Sequence, residues 1–348
     1  MAMCVCAAQQ RRELEKKHAH LQRNMHSENT RKTYGSGVLQ FILFCMAIGL
    51  SHELVDDKSL GLFVSFQSVT CSFATLKVYL YAIRAWTLAR GVDFKPWPQR
   101  YGVYAAMQGL KRELGDESVR KLAVTPKLLM QFILCMHLSL FNDTMLWGAM
   151  LVAFFGLFRK DNITVGKASA FNPRANLTVG DFSFKDGTVW VRVAHSKTIQ
   201  YGQRYHMVPL MPIPNHPLCP VWAVVQVMAI HKRRGSDPHT PMFLYQHSDR
   251  RVTPMTHSAF VIGFKNLVAK CGLNWTLYSG HSFRRGGATY CFNLGVDPNL
   301  IKMLGDWKSN AYLLYEETTE ARRLQLPGAM AQAIQQGVLD HGPRLVQT

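Results

Sequence analysis

The hydrophobic residues change their spacing twice along this chain, and that change restricts the folds open to it. Up to residue 158, apolar side chains recur at intervals of three and four, which is the period of a helix. Three segments instead alternate or are rich in β-branched and aromatic residues: 176–184, 188–196 and 204–211. Helical spacing returns at 221–234 and continues towards the C-terminus. The pattern therefore predicts a mostly α-helical protein with one small antiparallel β-sheet of three strands.

The predicted helices form two groups separated by a polar stretch. The first group occupies residues 28–114 and follows a basic N-terminal arm at 1–27. Residues 115–125 read as a linker, because they are polar and end in a Thr-Pro pair that favours a helix start. The second group and the sheet span residues 126–326, and a Pro-Gly break then sets off a C-terminal helix or tail at 327–348. We therefore expect a small all-helical domain followed by an α+β domain.

The charge balance is strongly basic. Lys and Arg number 40 against 22 Asp and Glu, which gives a formal net charge of +18. Such an excess repels itself in a compact fold. It is favourable when the partner is a polyanion, because each cation laid on a phosphate releases condensed counterions. The charge therefore predicts a nucleic-acid partner, with a basic protein of some other role as the alternative.

Several protein classes are disfavoured by the residue pattern. The eight cysteines include no C-x-x-C pair and several lie in apolar runs, which is typical of buried free thiols in a reducing compartment. The histidines show no H-x-x-x-H spacing with a nearby acid that would indicate a metal site. The longest apolar run, 145–158, is shorter than a membrane span and predicts a buried core helix. The N-terminus becomes charged too early for a secretory signal.

Four segments carry side chains suited to binding and attacking a phosphate. "FFGLFRKDNI" places Arg159 directly after the predicted core helix, and "VAHSKTIQYG" places Lys197 at the tip of a predicted hairpin. "GHSFRRGGATY" supplies His281 and Arg284, and "LGDWKSNAYLLYEE" supplies Tyr315 on a late helix predicted at 309–326. Taken singly, these residues have plainer interpretations, such as a helix C-terminal cap or a solvated hairpin lysine. Together they predict a cationic site for one shared anion.

In this order, the Arg, Lys, His-x-x-Arg and Tyr segments resemble the tyrosine recombinases, also called phage integrase-type recombinases. Within that family, "FFGLFRK" and "HSFRRGGAT" are most similar to the eukaryotic mobile-element branch, the Cryptons and their relatives. The resemblance covers about residues 30–326. It implies a helical core-binding domain followed by an α+β catalytic domain of the tyrosine-recombinase type. The complete set in order carries the resemblance, because H-x-x-R alone occurs by chance in many chains.

The resemblance implies a site-specific DNA recombinase that cleaves and rejoins strands through a 3′-phosphotyrosyl intermediate. Arg159 and Arg284 would bind the phosphate oxygens and stabilise the transition state. Tyr315 would be the nucleophile, since nearby cations favour the ionised phenol. Lys197 would protonate the leaving 5′ oxygen as general acid, and His281 would assist proton transfer. No metal ion is expected, in agreement with the missing ligand cluster in the sequence. No nucleotide cofactor is expected either, because the phosphotyrosine bond retains the energy for rejoining.

Some positions depart from the family pattern or compete for a role. Tyr312 lies three residues before Tyr315 and shares a similar helix face, although we expect it to pack in the core. The His or Trp that family members place nine residues before the nucleophile falls on Asp306, and an ionised Asp cannot donate to a phosphate. Trp307 is the candidate substitute donor. The Glu that many members carry three residues after the first Arg is Asn162.

The resemblance also implies how the protein would engage DNA. Its two basic domains would close around a duplex, as a dimer on one site and a tetramer in synapsis. The tail at 327–348 would be exchanged between protomers or docked on its own domain. The candidate phosphate contacts are Arg31, Lys32, Lys77, Arg84, Lys232, Arg233, Arg234 and Lys265. Any one of these cations, taken singly, is more simply interpreted as an ordinary solvated side chain. The expected location is the nucleus in a eukaryote and the cytoplasm otherwise.

Three other functions remain open at this point. A domesticated DNA-binding protein could keep the fold and lose activity. A type IB topoisomerase shares the chemistry but relaxes supercoils without exchanging strands. A metal-dependent transposase ranks last, because no context in the sequence brings its carboxylates together.

Overall fold

The computed structural model describes residues 2–115, 120–199 and 204–316, together with parts of 327–336. The chain divides into two compact units, residues 1–119 and 120–348. The described residues are mostly helical and include a small three-stranded antiparallel sheet, so the predicted fold class is confirmed.

The described residues of the first unit form helices and the turns between them, with no strand. Its helices are α1 (Ala2–Arg23), α2 (Glu28–Ala47), α3 (Asp57–Gln67), α4 (Phe73–Ala89) and α5 (Tyr101–Leu114). Three of these helices begin at a side chain that accepts a hydrogen bond from the first turn. Ser27 caps α2, Asp56 caps α3 and Ser72 caps α4. Their apolar faces meet in one core that includes Phe41 and Phe63, both fully buried. The segment predicted as a basic arm contains α1.

The second unit contains the remaining helices and all the strands. Its helices are α6 (Pro126–Leu134), α7 (Phe141–Phe155), α8 (Lys160–Ile163), α9 (Pro220–Arg234), α10 (His257–Lys270), α11 (Ser282–Asn293) and α12 (Pro298–Leu304), followed by a 3₁₀ helix at Asn310–Tyr315. Its strands are β1 (Phe182–Lys185), β2 (Thr188–Val193), β3 (His206–Leu210), β4 (Leu244–Gln246) and β5 (Val252–Pro254).

Helix α7 is the centre of this unit. Every residue from Thr144 to Phe154 is buried, as expected for the core helix predicted from the apolar run. Helix α9 packs closely along it at Gly148, where a Cβ atom would lie 2.6 Å from Val227 Cγ2. None of the helices in the described part of the chain is long and apolar enough to cross a membrane.

The three predicted strands form a sheet in the order β1-β2-β3. The pairing is antiparallel, with Phe182 opposite Val191 and Val191 opposite Val208. Asp186 and Gly187 make the first turn with φ values of 51° and 74°, as an Asp-Gly hairpin turn requires. The second hairpin, β4–β5, was not predicted, because strands of three residues are too short to show an alternating pattern.

Two boundaries differ from the sequence-based expectation. Residues 120–125 were assigned to the linker, but they pack within the second unit. Leu122 N donates to Leu277 O at 2.8 Å and Val124 N donates to Ser282 O at 3.0 Å, and Val124 is fully buried. The predicted late helix at 309–326 is a short 3₁₀ helix up to Tyr315, and 317–326 lie outside the described residues. Most of the C-terminal tail also lies outside them.

Candidate active site

Small residues explain how an arginine comes to be buried at the start of α11. Arg284 is only 2% exposed, and two glycines follow it in the same helix. A Cβ atom on Gly286 would lie 1.9 Å from the carbonyl oxygen of Val124, and one on Gly287 would lie 2.3 Å from that of Phe154. The glycines therefore let α11 press against neighbouring backbone, which carries the guanidinium into the interior.

The buried guanidinium of Arg284 is held from several sides. It donates from Nη1 to the carbonyl oxygen of Leu157 and from Nη2 to that of Gly305, the second at 2.7 Å. Its Cζ atom lies 3.6 Å from the centroid of the Trp307 ring. Nε is buried and has no hydrogen-bond partner among the described residues. Two of the five N–H groups of this guanidinium therefore donate to backbone carbonyls, and the Nε–H group is not one of them.

Burial and the neighbouring charge of Arg159 lower the pKa of Arg284 to about 9, so the guanidinium remains protonated at neutral pH. The nearby oxygens of Tyr315 and Asp306 act in the opposite direction. The side chain is thus a buried cation surrounded by carbonyl groups, an aromatic face and two acidic or phenolic oxygens. A phosphodiester placed here would meet hydrogen-bond donors that are already in position, and these donors would stabilise the extra negative charge of its transition state.

Arg159 is brought to the same place by the end of α7. The chain leaves the helix through Leu157, whose φ of 52° turns the backbone, and Arg159 then precedes α8. Its backbone N–H donates to Asn162 Oδ1 at 3.0 Å, so the residue at the family's Glu position supports the Arg159 backbone. Arg159 and Arg284 both line one small cavity of about 10 Å³. Two guanidiniums therefore face a single cavity.

Tyr315 lies beside this cationic pair. Its ring centroid is 5.9 Å from that of Trp307, and the Arg285 Cζ atom is 5.4 Å from the Tyr315 ring. The Tyr315 carbonyl oxygen accepts from Thr289 Oγ1 at 2.6 Å, which ties the end of the 3₁₀ helix to α11. Its side chain is half-buried. The Tyr315 side chain also interacts with the Arg284 guanidinium, so the phenol contacts this cation while remaining partly open to solvent.

Tyr312 occupies a different environment, although it lies one 3₁₀ turn earlier. It is 5% exposed and stacks on Phe292 with ring centroids 6.2 Å apart. Trp307 packs against it at 6.0 Å. Trp307, the candidate phosphate donor, is itself only 8% exposed and presents its ring face to Arg284. The structure thus places Tyr312 and Trp307 in a small aromatic core beneath Tyr315.

Lys197 is on the β2–β3 loop at the rim of the cavity. Ser196 and Ile199 exchange backbone hydrogen bonds of 3.0 and 3.1 Å, which makes Lys197 and Thr198 the two central residues of a tight turn. Ser196 lines the cavity together with Arg159 and Arg284, and the Lys197 side chain is exposed.

His281 is the residue before α11 and its side chain reaches solvent. Desolvation lowers the pKa of its ring, and the charges of Lys160, Arg159 and Arg284 lower it further, while Asp161 partly opposes them. The imidazole is therefore neutral at pH 7 and able to accept a proton. All five predicted site residues lie around one region of the second unit.

Sequence reasoning missed a group of side chains that surrounds this region. Asp306 was noted only as a misfit in the family pattern, but its carboxylate accepts hydrogen bonds from Thr198 and Arg204. His206 also lines the cavity. On the other side, the His257 Nε2 and Asp161 Oδ1 atoms are 3.2 Å apart. The position of Asp306 nine residues before the phenol was the available signal for the first group, and no spacing indicated the second.

The candidate DNA contacts of the first unit lie on different helices. Arg31 and Lys32 are exposed on α2, where Lys32 pairs with Glu28, and Lys77 is exposed on α4. Arg84 is half-buried, and its Nε donates to the carbonyl oxygen of Phe94 at 3.1 Å. Arg84 therefore has a structural partner within its own unit.

The candidate DNA contacts of the second unit are separated from the cavity. Lys232, Arg233 and Arg234 are exposed at the end of α9, where Arg234 lies over Phe141, the first residue of α7. Arg159 follows the opposite end of α7, roughly 20 Å away along a helix of this length. These three cations therefore cannot share one phosphate with Arg159. The Lys265 Nζ atom is 4.7 Å from the Trp275 ring centroid.

Comparison with known proteins is consistent with this arrangement. Residues 173–315 match the profile of the phage integrase family, and this segment ends at Tyr315. An integrase/recombinase xerD homolog of Selenomonas ruminantium is 24% identical over 277 residues, which is 78% of this chain and 76% of that protein. Both matches are to proteins of the phage integrase, or recombinase, type, and the first is confined to the second unit.

Solved structures share the fold at low sequence identity. The XerH site-specific recombinase bound to palindromic difH substrate aligns with a TM-score of 0.57 and 16% identity, covering 88% of this chain and 79% of that one. The Tn1549 transposon integrase in complex with transposon right end DNA gives 0.57 and 15%, covering 93% and 98%. A lambda integrase dimer bound to a COC′ core site gives 0.53 and 15%, covering 90% and 77%. The fold is that of the tyrosine recombinases.

Proposed function

We propose that this protein is a site-specific DNA recombinase that cuts and rejoins DNA through a covalent phosphotyrosyl intermediate. The observation that carries the proposal is the position of Tyr315, half-buried beside the fixed guanidinium of Arg284, with Arg159 lining the same cavity. A phenol next to two guanidiniums is the arrangement that attack on a phosphodiester needs.

The proposed reaction uses only side chains of this chain. The two guanidiniums bind the non-bridging oxygens, and the Arg284 Nε–H supplies a donor that its own fold leaves without a partner among the described residues. The Tyr315 oxygen attacks phosphorus and the bond to the 5′ oxygen breaks. Lys197 gives a proton to that oxygen, and the neutral ring of His281 accepts the proton that the Tyr315 hydroxyl loses. The reverse attack by a 5′ hydroxyl releases the tyrosine and rejoins a strand.

Double-stranded DNA is the proposed substrate. The excess of cations in the chain supports it, as does the DNA bound in the related XerH, Tn1549 and lambda integrase structures. The lambda integrase structure is a dimer, which supports a dimer on one site here. We propose a tetramer for strand exchange on the sequence resemblance alone. The proposed origin in a Crypton-like mobile element, and with it a nuclear location, is supported only by the two sequence segments quoted above.

The proposal is tested by covalent capture on DNA. The probe is a library of nicked duplexes with randomised arms, since the nick lets the cut strand diffuse away and traps the protein–DNA adduct. Wild-type protein is expected to form an adduct that survives denaturation, Tyr312→Phe is expected to form it as well, and Tyr315→Phe is expected to form none. An adduct that is lost in Tyr312→Phe but kept in Tyr315→Phe would assign the nucleophile to the other phenol.

Complete absence of an adduct with the wild-type protein, despite measurable duplex binding, would instead favour a DNA-binding protein without activity. Relaxation of a supercoiled plasmid without strand exchange would favour the topoisomerase-like function. These two outcomes separate the alternatives that share the fold.

A further inference from the structure

The turn after α12 is attached to the β2–β3 loop through Asp306. Asp306 has a φ of 51°, and its side chain is 18% exposed. Its Oδ2 atom accepts from Thr198 Oγ1 and its Oδ1 atom accepts from Arg204 Nη2. Thr198 and Arg204 lie on the two sides of the loop that joins β2 to β3. One carboxylate therefore binds both sides of that loop.

A further contact connects the same two parts of the protein. The His206 Nε2 atom is 2.9 Å from the carbonyl oxygen of Leu304, and a carbonyl can only accept, so this nitrogen carries the proton. Three hydrogen bonds thus join the hairpin to residues 304–306. The turn they hold borders the cavity of the two guanidiniums, because Gly305 accepts from Arg284 and Asp306 lines the cavity.

The connection reaches Lys197 through one tight turn. Thr198, which donates to Asp306, is the residue next to Lys197 in the turn closed by Ser196 and Ile199. The Ser196 Oγ and Thr198 Oγ1 atoms are 2.9 Å apart, and Ile199 is fully buried. Holding Thr198 therefore restricts the backbone from which the Lys197 side chain extends.

We propose that Asp306 is a positioning residue that holds Lys197 over the scissile phosphate. This inference rests on the function proposed above. A carboxylate cannot donate to a phosphate, so Asp306 does not take the donor role that the family places nine residues before the nucleophile. It acts on the loop instead: its negative charge attracts Arg204, and its short side chain reaches Thr198.

The electrostatics of the carboxylate agree with this role. Burial alone would raise the pKa of Asp306, but the hydrogen bonds from Thr198 and Arg204, together with the charges of Arg204 and His206, bring it below its ordinary value. The group is therefore ionised at neutral pH and accepts from both sides of the loop at once.

The proposal is tested by a substrate that needs no general acid. When sulfur replaces the bridging 5′ oxygen, the leaving group is a thiolate, which departs without receiving a proton because a thiol is far more acidic than an alcohol. A defect confined to the Lys197 step is then rescued, whereas a defect in phosphate binding or in folding is not. The measurement is the single-turnover rate of adduct formation on matched oxygen and sulfur substrates.

Asp306→Ala is expected to slow cleavage of the oxygen substrate by about 10- to 100-fold, part of what a general acid contributes. It is expected to cleave the sulfur substrate at nearly the wild-type rate, as Lys197→Ala should. Arg284→Ala is the comparison variant and should be slow on both. Asp306→Asn has the same shape and tolerates a positive φ, so its rate should lie between those of wild type and Asp306→Ala.

Thr198→Val and Arg204→Gln break the same contacts without changing the strained turn, which guards against a variant that fails to fold. They should show the same rescue. The positioning role would be overturned if Asp306→Ala, Thr198→Val and Arg204→Gln were slowed equally on the oxygen and sulfur substrates, or if all three cleaved both substrates at the wild-type rate. Failure of the wild-type protein to form any adduct on either substrate would instead remove the proposed function, so the two failures are distinguishable.

Discussion

The guanidinium of Arg284 lies on the face of the Trp307 ring, with Cζ 3.6 Å from the ring centroid. Trp307 also contacts Tyr312 and Tyr315 on its other sides. One buried aromatic side chain therefore supports both the cation that would bind phosphate and the phenol that would attack it. A substitution of Trp307 should therefore affect both the folding stability of this region and the proposed reaction.

Substitution of Trp307 should show whether its ring or its N–H group matters. Trp307→Phe keeps an aromatic face under Arg284 and should retain adduct formation within about tenfold, because the cation–π contact is largely preserved. Trp307→Ala leaves a cavity and should lower the free energy of unfolding by about 3–5 kcal/mol and abolish the adduct. Denaturant unfolding and covalent capture measure the two effects. A loss of activity in a well-folded Trp307→Phe as large as that in Trp307→Ala would assign the N–H a direct role as phosphate donor.

Arg284→Lys should be poorly tolerated although the charge is kept. Lysine cannot donate to the carbonyl oxygens of Leu157 and Gly305 at once or stack flat on an aromatic ring. We expect a loss of about 2–4 kcal/mol in the free energy of unfolding and at least a 100-fold loss in adduct formation. Arg251→Lys, at an exposed position, is the matched control and should change the free energy of unfolding by less than about 0.5 kcal/mol. Near wild-type behaviour of Arg284→Lys would mean that charge alone suffices.

Gly286→Ala tests the close approach of α11 to backbone. The added Cβ atom would lie 1.9 Å from the Val124 carbonyl oxygen, so one of the two segments must move. The free energy of unfolding should fall by at least about 2 kcal/mol, and adduct formation should fall with it because Arg284 is displaced. Gly109→Ala in α5, where nothing lies within 4 Å, should instead be neutral or stabilising. Thermal or denaturant unfolding measures the stability of both variants. Equal stability of Gly286→Ala and Gly109→Ala would contradict the close packing of α11 against the Val124 backbone.

The stability of the protein should fall as the pH decreases from 7 to 5. Desolvation lowers the pKa values of His231, His257 and His281 below their ordinary value of about 6.5. Below that pH the unfolded chain binds protons that the folded protein does not, so protonation favours unfolding. The free energy of unfolding measured across this range should therefore rise with pH.

His231→Gln should make that dependence shallower. His231 is 2% exposed, and its Nε2 atom lies 2.9 Å from the Met242 carbonyl oxygen, so a proton added to its ring would be buried. The absolute stability of this variant will also change, and only the slope against pH tests the argument. His239→Gln, at an exposed position, is the control. An unchanged slope in His231→Gln would show that this ring does not contribute.

The local residue pattern was enough to predict the fold class, the core helix and the three-stranded sheet of this protein. The apolar run at 145–158 predicted the buried helix that ends just before Arg159, and the alternating segments 176–184 and 188–196 predicted the first hairpin, because both signals depend only on neighbours in the chain. The order of Arg159, Lys197, His281, Arg284 and Tyr315 indicated one site, since together these residues resemble the pattern of a known family.

The contacts that complete the site join residues that are far apart in the sequence, and no local pattern reveals such contacts. Asp306 meets Thr198 across 108 positions of sequence, and Arg284 meets Leu157 across 127. A carboxylate that looked like a misfit in a linear motif thereby becomes the partner of a distant loop, and a charged side chain becomes almost fully buried. Residue types and spacing determine which groups are available for chemistry. Only the tertiary packing, of α11 on α7 and of the turn after α12 on the β2–β3 loop, brings backbone and side chains within hydrogen-bond distance and so decides what each group touches and what it can do.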